Sequence, residues 1–249
     1  VARVVDNLPA TSPAEVDQRD ATSPGVERAR VTSSDPPYYD NVPYADLSDF
    51  FYVWLRRSLQ PVLPNLFHTV LVPKAAELIA EPFRHGGKEA AEAFFMEGMT
   101  RAIQRMRKGL PDDFPAAIYY AFKQSETTQE ATSSTGWETF LQAIIDAGFS
   151  IVGTWPVRTE RPGRLRETGS NALASSIVLV CRKRLDDAPT VTRADFRRLL
   201  RTELPGALKN LQRGNIAPVD MAQASIGPGM AIFSRHSKVL EADGSPMTV

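Results

Sequence analysis

The sequence contains a single cysteine, Cys181, and no apolar run long enough to cross a bilayer. One cysteine cannot form a disulfide within the chain, and a membrane-spanning helix needs about 18 or more consecutive apolar residues. No basic segment followed by an apolar one comes after Val1, so we expect no targeting signal in this sequence either. The hydrophobic share of 43% excludes disordered and collagen-like classes. We therefore expect an intracellular, cytoplasmic protein that does not enter a membrane.

Metal-binding and nucleotide-binding patterns are also missing. The three histidines, His68, His85 and His236, are far apart and have no cysteine or paired carboxylate at ligand spacing, so we expect no metal site. There is no Gly-x-Ser-x-Gly, Walker or dinucleotide-binding pattern, which excludes the common hydrolases, NTPases and dehydrogenases. Cys181 lies in an apolar run, where a cysteine usually serves packing rather than nucleophilic chemistry.

The chain has no net charge, because 29 basic residues balance 29 acidic ones, but the two signs are segregated. Residues 1–49 carry four basic and nine acidic residues, and residues 158–213 carry thirteen basic and six acidic ones. A local basic patch, rather than the total, sets the field that a ligand meets. Four arginines lie in one short loop with Pro162 and Gly163: Arg158, Arg161, Arg164 and Arg166. They are candidates for DNA contact, although a solvated surface would have the same composition.

Strand-like and helix-like segments alternate along the chain, which indicates an α/β protein. Apolar or β-branched runs predict four strands: 27–32, 116–122, 149–155 and 175–181. Helical periodicity and caps predict four helices: 46–60, 88–108, 135–147 and 192–203. This order favours a mainly parallel sheet with helices on both faces, because parallel neighbours need crossover connections. We assign residues 1–190 to this unit and residues 191–249 to an appended, helical and irregular C-terminal extension.

Local signals fix some of the expected helix ends and faces. Asp46 is a candidate cap for the first helix, and Phe50, Phe51 and Trp54 are expected to form its core-facing side. Gly148 is expected to end the helix that starts near Thr135.

The sharpest signal follows the first predicted strand: Asp35-Pro36-Pro37-Tyr38. Ligands of parallel sheets bind at the carboxyl ends of strands, where this tetrapeptide would lie. An exocyclic amine such as adenine N6 is a poor nucleophile because its lone pair is delocalised into the ring. A carboxylate and a neighbouring carbonyl that accept both N–H bonds can hold it toward tetrahedral geometry. Asp35 and the Pro36 carbonyl suit this task, and Tyr38 offers a stacking surface; the alternative is a plain Pro-Pro turn with a surface tyrosine.

The tetrapeptide resembles the catalytic motif of amino-methyltransferases that act on adenine N6 in DNA. The run DPPYYDNVPYADLSDFFYVWLRR, residues 35–57, is similar to the large bacterial adenine-specific DNA methylases that carry an N-terminal domain of unknown function. The resemblance implies a partial Rossmann-like methyltransferase sheet, S-adenosylmethionine as cofactor, DNA as partner and catalytic roles for Asp35, Pro36, Pro37 and Tyr38. It also implies that Asp20 hydrogen-bonds the adenine of the cofactor, although an aspartate is equally a common turn former.

One feature of this family is missing, because no Gly-rich loop precedes Asp35 to anchor the cofactor. We therefore expect the C-terminal portion of a larger methylase, inactive by itself, with the missing N-terminal part as a partner. The residues after the second strand, 123–125, could line a base pocket or form a plain polar loop. Two alternatives remain open: methylation of RNA or of a protein amide, and a catalytically silent nucleic-acid-binding or assembly module.

Overall fold

The computed structural model describes residues 18–23, 30–40, 42–120, 135–158, 175–213 and 218–249. The strands are β1 (Ser33–Ser34), β2 (Ala116–Tyr120), β3 (Phe149–Arg158), β4 (Ser175–Lys183), β5 (Thr190–Thr192) and β6 (Lys238–Leu240). The helices are α1 (Tyr44–Leu59), α2 (Pro82–His85), α3 (Lys88–Gly109), α4 (Thr135–Asp146), α5 (Arg193–Arg213) and α6 (Pro218–Ser234).

Four strands form one mixed sheet in the order β1-β2-β4-β3. Strands β1 and β2 are parallel, with Ser33 beside Ala117, whereas β4 runs antiparallel to both β2 and β3. Three of the four strands therefore point the same way, as a mainly parallel sheet requires. Because β4 lies between β2 and β3 and runs against both, two of the three ladders are antiparallel. The chain is thus an α/β protein with a mixed sheet, in place of the mainly parallel ladders that the sequence predicted.

The hydrophobic core lies between the sheet and helices α3 and α4. Alternate residues of β2 are buried, and Ile118 and Tyr120 pack with side chains such as Phe95 of α3 and Phe140 of α4. Such alternation is typical of a strand with one face in the core. Cys181 of β4 belongs to this core, and burial raises the pKa of its thiol to about 12. The cysteine thus serves packing, as the sequence predicts.

Helix α6 covers the other face of the sheet at β3. The Ser150 hydroxyl donates to the Ser234 carbonyl at 2.8 Å, and the Ser234 hydroxyl accepts from the Ile151 amide at 2.8 Å. Because Ser150 follows Phe149, whose side chain is in the core, its own side chain points to the opposite face. Helices thus lie against both faces of the sheet at β3, and residues of the C-terminal section complete its second layer.

Several predicted boundaries agree with the structure. Strands β2, β3 and β4 and helices α3 and α4 begin where the sequence predicts. Gly148 follows α4 with a positive φ of 85°, which a glycine adopts without strain. The Thr192 hydroxyl accepts from the Asp195 amide at 3.2 Å, which confirms the expected cap of α5. That helix continues to Arg213, past Pro205, and is thus longer than expected.

Three local expectations were wrong. The first described strand is β1 at Ser33–Ser34, and residues 30–32 of the predicted strand are not part of it, because the position of β1 is set by pairing with β2; residues 27–29 lie outside the described residues. Asp46 does not cap α1: the helix starts after Pro43, and Asp46 pairs with Arg84 instead. Phe50, Phe51 and Trp54 do not form a core-facing side of α1, since all three are exposed; the buried residues of this helix are Ala45 and Tyr52.

A membrane-spanning segment is not found among the described helices, none of which combines the required length with sufficient apolar character.

Candidate functional site

The Asp35-Pro36-Pro37-Tyr38 segment leaves the sheet directly after β1. Because β1 and β2 are parallel, this segment and Tyr120, the last residue of β2, lie at the same edge. Asp35 is exposed, and the other three residues are half-buried. The carboxylate of the loop is therefore open to solvent, whereas its prolines and tyrosine are partly covered by the protein.

Tyr38 orients the carboxylate of Asp35. Its hydroxyl donates to Asp35 Oδ1 at 2.5 Å, and its ring packs edge-on against Tyr120, with centroids 5.1 Å apart. One carboxylate oxygen therefore already accepts a hydrogen bond from within the loop. The lone pairs that remain on the carboxylate can accept from a ligand, because a carboxylate has about four acceptor positions.

Tyr39, the next residue, ties the loop to α3. Its backbone has a positive φ of 47°, uncommon for a residue with a side chain, and its hydroxyl donates to Glu92 Oε1 at 2.8 Å. Its ring packs edge-on against Phe95 at 5.3 Å. Burial, and then the bond to Glu92, raise the pKa of Tyr39, so the phenol stays protonated as a donor. These contacts turn the chain sharply immediately after the tetrapeptide.

An aromatic layer beneath the loop supports Tyr38. Tyr120 stacks on Phe140 at 4.1 Å and tilts against Trp137 at 5.4 Å, and burial raises the pKa of the Tyr120 phenol. Tyr39, Glu92 and Tyr120 belong to the candidate site but were not predicted from the sequence. For the two tyrosines, the available signals were adjacency to the tetrapeptide and the last position of a predicted apolar strand. For Glu92 the sequence offers no signal, because it lies more than 50 residues further along the chain.

Asp20 is exposed and makes a local turn. Its Oδ1 accepts from the amide of Thr22 at 2.8 Å and from the Thr22 hydroxyl at 2.8 Å. The backbone bond, followed by the hydroxyl bond, lowers the pKa of Asp20. These contacts are typical of an Asx turn, the alternative that the sequence left open. A cofactor role for Asp20 remains a prediction.

The basic loop lies mostly outside the described residues. Arg158 is the last residue of β3, whereas Arg161, Arg164 and Arg166 fall in the segment 159–174 that is not described. Strand β3 runs in the same direction as β1, so its carboxyl end lies at the same end of the sheet as Asp35, although β1 and β3 are the two outermost strands on opposite edges. Trp155, near this end of β3, is exposed and is therefore not a core residue. The polar residues 123–125 are also outside the description.

The described residues do not form a recognisable cradle for S-adenosylmethionine. Asp20 is engaged in its own turn, and the described glycines with positive φ are Gly86, Gly87, Gly148 and Gly244. None of these four adjoins β1, where a phosphate- or carboxylate-binding glycine turn would be useful. Apart from the role predicted for Asp20, the described residues thus offer no glycine turn beside β1 that could hold a cofactor.

Metal ligands are likewise not clustered in the described part of the chain, where no three His, Cys, Asp or Glu side chains come together in a geometry that could hold an ion.

Comparison of the chain with protein-family models, with curated proteins and with solved structures finds no match.

The close approach of Tyr39 to α4 gives a stability prediction. A Cβ on Gly136 would lie 2.7 Å from Cγ of Tyr39 and 2.9 Å from its Cβ, atoms near the backbone that cannot swing away. We expect Gly136→Ala to lower the free energy of unfolding by about 1 to 3 kcal/mol in urea denaturation. The control is Gly206→Ala in α5, where a Cβ meets nothing within 4 Å and should be neutral or stabilising. Equal effects of both substitutions would contradict the packing described for Tyr39.

Proposed function

We propose that this chain is the base-binding portion of an S-adenosylmethionine-dependent DNA methyltransferase that modifies adenine N6. The observation that carries the proposal is the position of Asp35: an exposed carboxylate at the carboxyl edge of two parallel strands, followed by two prolines and a tyrosine that is fixed from below. Of the two amine-gripping groups that the chemistry needs, the carboxylate is supplied by Asp35 and the carbonyl by Pro36.

The loop is suited to hold an amine rather than to donate to a ligand. Pro36 and Pro37 have no amide hydrogens and fixed φ, so the loop presents its carbonyls rigidly. Both N–H groups of an adenine amine could then be accepted at once, by Asp35 and by the Pro36 carbonyl. Accepting both bonds withdraws the nitrogen lone pair from the ring and directs it outward, which is the orientation that an attack on a methyl group needs.

Access to the loop requires the adenine to leave the duplex. Extrusion costs a few kcal/mol, and stacking on an aromatic side chain restores about 1 to 3 kcal/mol. Tyr38 is hydrogen-bonded to Asp35, and its packing on Tyr120 keeps the ring in place. Exposed Trp155, near the carboxyl end of β3, is a second candidate for contact with an extruded base.

The open side of β1 is compatible with the proposal that the sheet is part of a larger Rossmann-like sheet. Among the described residues β1 pairs with β2 alone, so its other side can accept further strands. In a doubly wound sheet those strands would carry the cofactor site, which fits the lack of a cradle in the described part. S-adenosylmethionine, bound by that other part, would supply the methyl group. The present chain would hold the adenine that accepts it.

Substitution of Asp35 tests the proposal. In the full-length protein, Asp35→Asn should lower the incorporation of tritiated methyl groups from S-adenosylmethionine into duplex DNA by about 100-fold or more, because one acceptor becomes a donor. Asp40→Asn is the matched control, since Asp40 is also exposed and lies five residues away; it should retain most of the activity. Undiminished incorporation with Asp35→Asn would show that this carboxylate does not hold the amine.

The arginine loop gives an independent prediction for DNA binding. Each phosphate that a cation neutralises adds roughly 0.9 to the slope of log affinity against log salt. Replacing Arg161, Arg164 and Arg166 by alanine should therefore reduce that slope by up to about 3 in fluorescence anisotropy titrations. The control removes the same charge from exposed positions of α5 (Arg197, Arg201 and Arg213) and should leave the slope nearly unchanged. Equal slopes for both variants would count against the loop as the phosphate-binding site.

A catalytically silent nucleic-acid-binding or assembly module is the second candidate, and the lack of a cofactor cradle in the described residues favours it. Isothermal titration of this 249-residue chain with S-adenosylmethionine tests the premise that both candidates share, namely that the chain has no complete cofactor site of its own. We expect no binding heat at about 1 to 10 μM free ligand. A complete cofactor site with a dissociation constant in this range would be half occupied there and would release measurable heat. Micromolar binding would mean that the chain carries its own cofactor site, which would contradict both the silent module and the division of labour proposed above.

A further inference from the structure

Helix α1 presents an apolar stripe to solvent. Leu47, Phe50, Phe51 and Trp54 are spaced i, i+3, i+4 and i+7, so they share one side of the helix. Their exposed fractions are 58%, 69%, 63% and 60%, respectively. This stripe of four residues is the reverse of a normal surface helix, which turns such a side toward the core.

The opposite side of α1 faces the protein and is held mainly by polar contacts. The Tyr52 hydroxyl donates to the Thr69 carbonyl at 3.0 Å, and Arg56 Nε donates to the Phe67 carbonyl at 3.2 Å. Asp49 forms an ion pair with Lys74 at 2.7 Å. Because these bonds fix the rotation of the helix, the apolar stripe cannot turn inward without breaking them. Among the described residues nothing covers the stripe.

The apolar surface of α1 is unusually large for a single helix and comes close to one side of a specific interface. Tyr44 adds a fourth aromatic ring, 63% exposed, to those of Phe50, Phe51 and Trp54. At about 150 to 250 Å² for each aromatic side chain, these four leave roughly 500 Å² in water. Leu47 and Leu55 extend the patch. Its size approaches the roughly 800 Å² that each partner buries in a specific interface and reaches the upper range of single patches on monomers.

The charges beside the stripe identify the partner. Asp46 and Arg57 are eleven residues apart and therefore lie on the same side of the helix, about 16 Å apart along its axis. Acid near one end and base near the other do not suit a nucleic-acid backbone, which attracts cations only. They do suit a second α1 in the opposite direction, because each Asp46 then approaches the Arg57 of the other copy. Asp46 shares Arg84 of its own chain with Glu77, so these three side chains still carry a net negative charge. Antiparallel helix dipoles also attract each other.

We propose that two copies of this chain associate through their α1 helices, packed antiparallel about a two-fold axis. In this arrangement Leu47 of one copy faces Trp54 of the other, and Phe50 and Phe51 of both copies meet near the axis. The interface is isologous, so it closes as a dimer rather than growing into a fibre. The inference does not depend on the proposed methyltransferase activity, because it rests on α1 alone.

Measurement of mass tests the dimer. Light scattering after size exclusion, with the chain at about 10 to 100 μM, should give twice the monomer mass, because a dimer of micromolar affinity is well populated in this concentration range. Phe50→Glu combined with Trp54→Glu should give a monomer with an unchanged circular dichroism spectrum, because both side chains are exposed. Phe83→Glu is the control: Phe83 is 97% exposed on α2 and should not affect the mass. A monomeric unaltered chain, or a dimer that survives the double substitution, would overturn the proposal.

Cysteine pairs test the antiparallel direction. A mixture of Leu47→Cys and Trp54→Cys chains should form an intermolecular disulfide on mild oxidation, whereas Leu47→Cys alone should not. The two copies of residue 47 would be about 10 Å apart along the helix axis, beyond the 7 Å limit between Cα atoms of a disulfide. The natural Cys181 is fully buried and will not interfere. A disulfide between two copies of residue 47, or none in the mixture, would contradict the arrangement.

Discussion

The anchoring of two consecutive tyrosines fixes the candidate site. Tyr38 bonds to Asp35 and packs on Tyr120, whereas Tyr39, with its left-handed backbone, bonds to Glu92 and packs on Phe95. The loop is thereby attached to both β2 and α3, so its carboxylate is held at the sheet edge rather than on a free loop. A group that must hold a base in one orientation needs such support, because small displacements reduce its effect strongly.

The way α1 is bound explains why apolar side chains remain on the surface directly after the site. The core between the sheet, α3 and α4 is filled without any aromatic ring of the stripe. The segment between α1 and α3 supplies Lys74, Glu77 and Arg84, whose ion pairs and hydrogen bonds hold the helix by its polar side. Because α1 is attached through its polar side, its apolar stripe faces solvent. An exposed apolar stripe of this kind is suited to association with another protein surface.

The sequence predicts the elements that depend on local pattern and fails where tertiary contacts decide. Strands β2 to β4 contain nearly continuous apolar runs, and Gly148, two residues after the end of α4, has a positive φ that favours glycine. The position of β1 depends on its neighbour, and its two serines carry no strand signal of their own. The sequence could not show that α1 turns its apolar side outward, because periodicity gives the spacing of a side but not its direction. Asp35 to Tyr38 could be located from the motif and topology alone, whereas the partners of Tyr39 come from distant parts of the chain.

A structure of the full-length protein bound to duplex DNA with an extrudable adenine is the most direct measurement of the central claim. The account predicts that adenine N6 lies at hydrogen-bond distance, about 2.7 to 3.2 Å, from both the Asp35 carboxylate and the Pro36 carbonyl. An adenine that remains stacked in the duplex, or that enters the protein away from this loop, would contradict it.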